Sequence, residues 1–151
     1  MSDTDITNGG IIKVFGYGSL LDEEEIRWHT GKREVLICET VIWGYKRDWE
    51  AYDGRYRYLG IHKVLGWQVN GLVFELERVR IGRFLEHEGW GKLYDFKEIN
   101  SGLWSLVTKK PSRMGVVPNG YVEEIKAALK HRSLGFRIKF WETTPEITSE
   151  Y

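Results

Sequence analysis

The chain has 151 residues, 42% of them apolar and 14% aromatic, with 22 basic and 22 acidic side chains and a single cysteine. That length and apolar content suit one domain around one core and exclude a disordered chain. The neutral balance argues against a nucleic-acid coat or a membrane-surface patch as the main role, and one cysteine excludes an internal disulfide.

In chain order, Met1 to Gly10 is polar and acidic and reads as a flexible N-terminal tail, 1–10, not a signal peptide. Ile11 to Phe15 is a short apolar run of the kind that forms a buried strand. It leads into Gly16-Tyr17-Gly18-Ser19-Leu20, and Asp22 then stands as the N-cap of an acidic helix reaching His29 and stopping near Gly31. Glycines at a strand end let the backbone turn tightly and approach a ligand. The amides of Tyr17, Gly18, Ser19 and Leu20 are therefore a candidate nest for an oxyanion or carboxylate. A strand-to-helix turn with no ligand accounts for the same pattern.

Arg33 to Tyr52 is a long β-type segment with a bend or bulge at Gly44 and a turn at Asp53-Gly54. Cys38, in an apolar stretch, is expected to be a buried, inert thiol. Tyr56 to Val64 is the next strand, broken by Gly66, and Trp67 to Leu76 another, with Trp67, Val69, Gly71 and Val73 on one face. Val79 to His87 reads as a short helix with Val79, Phe84 and Leu85 inward. Strands follow at Leu93–Ile99 and Leu103–Thr108, then a helix over Tyr121–His131 with Tyr121, Ile125, Ala128 and Leu129 as its apolar stripe. Phe136 to Trp141 is a short helical or irregular segment. The domain spans 11–142, with a polar tail at 143–151. The element order implies an α+β fold: a small mixed β-barrel of about six or seven strands with flanking helices. No apolar run approaches the roughly 20 residues of a membrane span, and the expected location is cytoplasmic.

Several catalytic patterns are missing. Ser19 is not in a Gly-x-Ser-x-Gly elbow, and the loop lacks the marks of a phosphate-binding or dinucleotide loop. His29, His62, His87 and His131 show no zinc-motif spacing, so no metal site is expected. Glu86-His87-Glu88-Gly89-Trp90 offers two carboxylates beside an indole. A carboxylate partly buried there would have a raised pKa suited to acid–base work, whereas solvated surface glutamates are the bland alternative.

In combination these segments resemble the γ-glutamylcyclotransferase family. Phe15-Gly16-Tyr17-Gly18-Ser19-Leu20 resembles its signature loop, and Val41 to Trp49 and Val69 to Leu76 resemble two of its strands. Glu88-Gly89 stands where the family carries its catalytic glutamate, and Pro118 to Tyr121 resembles the opening of its last long helix. Leu85 departs from the pattern, since many relatives have Asp there. The resemblance implies the family's barrel and a reaction in which the α-amine of a γ-glutamyl group attacks its own γ-carbonyl, giving 5-oxoproline and a free amine. It implies Glu88 as the proton shuttle, the Tyr17–Leu20 loop as the binding nest, Tyr121 as a hydroxyl contact, a small γ-glutamyl substrate as partner, and no metal or organic cofactor. Two alternatives stay open. One is a non-catalytic relative binding a small carboxylate ligand or a protein partner; the other is an enzyme for an unusual γ-glutamyl conjugate.

Overall fold

The computed structural model describes residues 10–88 and 91–147. Five strands form one mixed sheet in the order β2-β3-β1-β5-β4, and four helices pack around its curled faces. The strands are β1 (Ile11–Gly16), β2 (Ile37–Tyr52), β3 (Arg57–Glu77), β4 (Tyr94–Asn100) and β5 (Leu103–Thr108). The helices are α1 (Glu23–Thr30), α2 (Ile81–His87), α3 (Asn119–Leu129) and α4 (Leu134–Thr143). The fold is α+β, as the sequence implies.

β1 lies in the middle of the sheet, antiparallel to β3 and parallel to β5. Its residues alternate out and in at Ile11, Ile12, Lys13 and Val14, then are buried on both faces at Phe15 and Gly16. The centre of the sheet is covered on both sides there, so the signature loop leaves the strand from inside the molecule.

Among the described residues the strands number five, where the sequence reading expects about six or seven. Gly66 does not end a strand. It takes a left-handed φ of 86° and sits in a bulge, while residues on both sides of it stay paired with β2. Gly44, at φ 89°, bulges the facing strand as expected. A glycine can enter that backbone region without a Cβ clash, so the ribbon bends instead of terminating. Two expected strands are thereby one of 21 residues. Both of its faces are covered near the sheet centre: Val69 and Gly71 are buried as well as Leu72, Phe74 and Leu76, while Trp67 beside the bulge is exposed. Each such buried side chain contributes about 1.5–3 kcal/mol of transfer free energy.

Local signals set the helix ends. The Asp22 side chain accepts from the Glu24 N–H at 3.0 Å, and Gly31 closes α1 in the left-handed region. Ser133 caps α4, accepting from the Phe136 N–H. α3 buries Ile125, Ala128 and Leu129 as its stripe requires. Val79 points to solvent, contrary to the sequence reading, because a 3-10 turn over Arg78–Arg80 precedes α2 and shifts its phase; Ile81 and Phe84 are buried instead.

One more expectation is corrected. Cys38 is exposed, since it lies on the outer face of edge strand β2. The first residues after α4 stay held to the core. Thr144 is buried and its hydroxyl donates to the Phe140 carbonyl, and the Pro145 carbonyl accepts from Trp49 Nε1 at 2.9 Å. Residues 1–9 of the expected N-terminal tail, the end of the C-terminal tail, Gly89 and Trp90 lie outside the described residues. Among the described residues, no helix is long and apolar enough to cross a membrane.

Candidate active site

The loop after β1 folds into a 3-10 turn over Ser19–Leu21. Its hydrogen bonds run from the N–H of Leu21 to the Gly18 carbonyl and from the N–H of Asp22 to the Ser19 carbonyl. The turn leaves the N–H groups of Ser19 and Leu20 outside its own bonding, as the first amides of any helical turn are left. Crowding requires glycine at position 16 and favours it at position 18. A Cβ on Gly16 would strike Leu20, and one on Gly18 would lie 3.2 Å from both Leu59 and the Tyr121 hydroxyl.

A buried arginine holds this loop from behind. Arg47 on β2 donates through Nε to the Tyr17 carbonyl at 3.0 Å. Its other nitrogens reach the Asn70 carbonyl and side chain, the Phe140 carbonyl and the Thr143 and Thr144 hydroxyls. Its guanidinium also stacks over the Phe140 ring. The partners named are neutral, and several belong to the C-terminal end of α4, where the helix dipole favours a cation. Burial lowers its pKa from 12.5 to about 9, which leaves it charged at neutral pH.

In front of the loop is a small half-open hollow of about 30 Å³, lined by Tyr17, Gly18, Ser19, Leu20, Glu88, Tyr94 and Tyr121 together with apolar side chains. The fold thus brings all six residues singled out from the sequence to one cavity. Glu88 follows the last turn of α2, and its carboxylate is fixed on both oxygens. The Ser19 hydroxyl donates to Oε1 at 3.4 Å, and His29 Nε2 lies 2.9 Å from Oε2. Glu86, the other acid of that segment, is exposed and does not line the hollow.

The tyrosines differ in what they have to offer. The Tyr17 hydroxyl donates to the Leu106 carbonyl at 2.6 Å and that of Tyr94 to the Leu59 carbonyl at 2.7 Å, so both phenolic protons are committed to the scaffold. The Tyr121 oxygen instead accepts from the Leu59 N–H, which leaves its proton to be donated elsewhere. Burial pushes all three phenols above their usual pKa and keeps them neutral. Leu85, where many family members carry Asp, is partly buried against the core.

His29 is the Glu88 partner that sequence reasoning missed. It belongs to a four-residue group with Glu25, His87 and Glu88, whose ligand atoms lie within 4.8 Å of one another. Two of the four histidines that look scattered along the chain, His29 and His87, are brought together where side chains of α1 meet those of α2. The i, i+4 pair Glu25/His29 and the adjacent His87-Glu88 were the available signal. A second missed pair lies outside the hollow's lining: buried Glu50, whose carboxyl is raised chiefly by desolvation, with His62 Nδ1 2.6 Å away.

Solved structures were compared with this arrangement. A γ-glutamyl cyclotransferase superposes over 94% of this chain and 93% of its own, with a TM-score of 0.73 at 18% identity. The chain has the γ-glutamyl cyclotransferase fold. An uncharacterized human protein shares that fold with a TM-score of 0.71 at 18% identity, over 93% of this chain and 92% of the other. YkqA of Bacillus subtilis matches with a TM-score of 0.66 at 15% identity, over 92% of this chain and 55% of its own. No protein-family model matches the sequence. A 120-residue stretch is 28% identical to part of the β′ subunit of DNA-directed RNA polymerase from Endomicrobium trichonymphae; it covers 78% of this chain and 7% of that subunit. The cyclotransferase fold therefore rests on shape, and the chemistry must be argued from the site.

Proposed function

We propose that this protein is an enzyme of the γ-glutamylcyclotransferase type, converting a γ-glutamyl compound to 5-oxoproline and a free amine or amino acid. The single observation that carries the reading is that the Glu88 carboxylate and the Ser19 loop line one hollow, joined by the hydrogen bond from the Ser19 hydroxyl. The likeness to a γ-glutamyl cyclotransferase supplies the substrate class.

The nucleophile and electrophile of this reaction belong to one molecule. The site's main task is to hold the folded conformer, and such orientation is worth up to roughly 7–11 kcal/mol of the barrier. The substrate α-amine, with an ordinary pKa of about 8, must lose a proton to attack. Glu88 takes that proton as the new C–N bond closes the five-membered ring, then delivers it to the γ-nitrogen as the old amide bond breaks. The amides of Ser19 and Leu20 face the developing oxyanion or the glutamyl carboxylate. The Tyr121 phenol, neutral and with its proton uncommitted, donates a further hydrogen bond. Arg47 fixes the Tyr17 carbonyl and so the path of the loop, and His29 orients the Glu88 carboxylate.

The test is release of 5-oxoproline from a panel of free γ-glutamyl amino acids, glutathione and γ-glutamyl-amines. At least one should turn over, and Glu88→Gln should lower that rate about 100-fold or more while the protein still binds substrate. Binding of a γ-glutamyl compound without turnover would instead favour a carboxylate-binding relative, and an unchanged rate in Glu88→Gln would remove Glu88 from the mechanism.

A further inference from the structure

We infer that Glu25, His29, His87 and Glu88 form a binding site for a divalent transition cation of the zinc class, beside the hollow and sharing Glu88 with it. Four atoms converge: Glu25 Oε1, His29 Nε2, His87 Nε2 and Glu88 Oε2. Each histidine nitrogen lies close to both carboxylates. The separations are 2.8 Å for His87–Glu25, 2.9 Å for His29–Glu88, 3.6 Å for His29–Glu25 and 3.8 Å for His87–Glu88. Donors held about 2.0–2.1 Å from a tetrahedral ion stand about 3.3 Å from each other; the four histidine–carboxylate distances bracket that value, and all six pairs lie within 4.8 Å.

The donor set has the right chemistry. Two imidazoles and two carboxylates suit zinc, cobalt or nickel, and two carboxylates balance a divalent charge. Calcium and magnesium call for more oxygens than the site presents. The ligands are also held in place beforehand. His29 is almost wholly buried, with its ring edge-on to Phe84 and Trp28. Trp28 lies against the His87 ring too, at 4.7 Å. The second oxygen of Glu88 receives the Ser19 hydroxyl, the kind of outer hydrogen bond that fixes a metal-binding carboxylate. Glu25 and His87 are half-exposed and give an ion its way in from solvent.

The ion takes the place that protons otherwise occupy between the nitrogens and the carboxylates. It therefore competes with proton transfer through Glu88, and binding should suppress turnover. Metal binding stands on the four-residue geometry alone; the inhibitory consequence rests on the cyclisation reading.

The test uses the full chain, dialysed against a chelator and titrated with ZnCl2 by calorimetry near pH 7, with CoCl2 as a spectroscopic probe. One zinc per chain is expected, with a raised thermal midpoint and a four-coordinate cobalt spectrum. Glu25→Gln and His87→Ala, both at half-exposed positions, should each weaken binding at least tenfold, with circular dichroism checking that they remain folded. Absence of zinc binding, or binding that both variants retain, overturns the site and leaves a plain hydrogen-bonded relay. In the activity arm, zinc should lower 5-oxoproline release from the wild type, and Glu25→Gln should need at least tenfold more zinc for the same loss. Undiminished release at saturating zinc overturns the inhibitory role. Site-dependent zinc binding in a protein that turns over no γ-glutamyl compound refutes the cyclisation reading and keeps the metal site.

Discussion

Two polar assemblies in this molecule, one around Arg47 and one around Glu88, are built on opposite plans. Arg47 is completely enclosed, and the oxygens it bonds are the neutral carbonyls and hydroxyls of β3, the signature loop and the end of α4. No proton moves among such partners near neutral pH, and the assembly has one arrangement. Glu88, with His29, His87 and Glu25, is a meeting of groups that can each gain or lose a proton, reached from solvent on one side. Both hold a polar side chain by several hydrogen bonds. What separates a structural hub from a reactive site is whether the partners themselves titrate.

The comparison can be broken at either end. Arg47→Met should produce the largest loss of stability, about 3 kcal/mol or more, because several buried acceptors lose their donor together. Denaturant unfolding measures it, and a loss under 1 kcal/mol would show that the hub is dispensable. Glu88→Gln is the mirror image. Its expected effect on turnover, about 100-fold, corresponds to about 2.7 kcal/mol in the barrier, with stability changed by less than about 1 kcal/mol. If both variants lost stability equally, the distinction between hub and reactive site would fail.

Alkaline pH sharpens the contrast next. Tyr17, Tyr94 and Tyr121 have phenols raised above the ordinary value by burial. Below about pH 10 they are neutral in both states and their contribution is intact. Above it the unfolded chain releases phenolic protons that the native state keeps, so stability falls as pH rises, by up to about 1.4 kcal/mol per pH unit for each phenol. Arg47, lowered to about 9, acts in the opposite sense above pH 9, since the unfolded chain then holds the extra proton; it offsets no more than one of the three. Absorbance at 295 nm should show three of the eight tyrosines ionising only with unfolding. Smooth titration of all eight before any loss of structure would contradict their burial. The smallest effect belongs outside both assemblies. Cys38→Ser should change stability by less than about 0.5 kcal/mol, and the native thiol should react with Ellman's reagent at the rate of an exposed cysteine.

Features governed by neighbours a few residues apart were legible. The Asp22 cap, the Gly31 stop, the bulge at Gly44 and the stripe of α3 each depend on local backbone preference or periodicity, and each is where the residues say. Errors came where a local sign has two outcomes. Glycine at position 66 permits either a strand end or a bulge, and only pairing with β2 across the ribbon selects the bulge. Cys38 lies in an apolar stretch, yet the outer face of an edge strand left it uncovered. Val79 has helical spacing, but a 3-10 turn rotated it outward.

Taken alone, the order of residues determined where most strands and helices lie, the crowded glycine turn and, through family likeness, the six residues at the hollow. Tertiary structure decided which distant groups touch. Ser19 and Glu88 are 69 positions apart and His29 and Glu88 are 59 apart, and no local periodicity spans such intervals. Their meeting follows from the sheet order, which carries β1 into the centre and sets α1 against α2. The same packing turned four unremarkable acids and histidines into a cluster, because contact in three dimensions depends on how elements are layered and not on how residues are spaced.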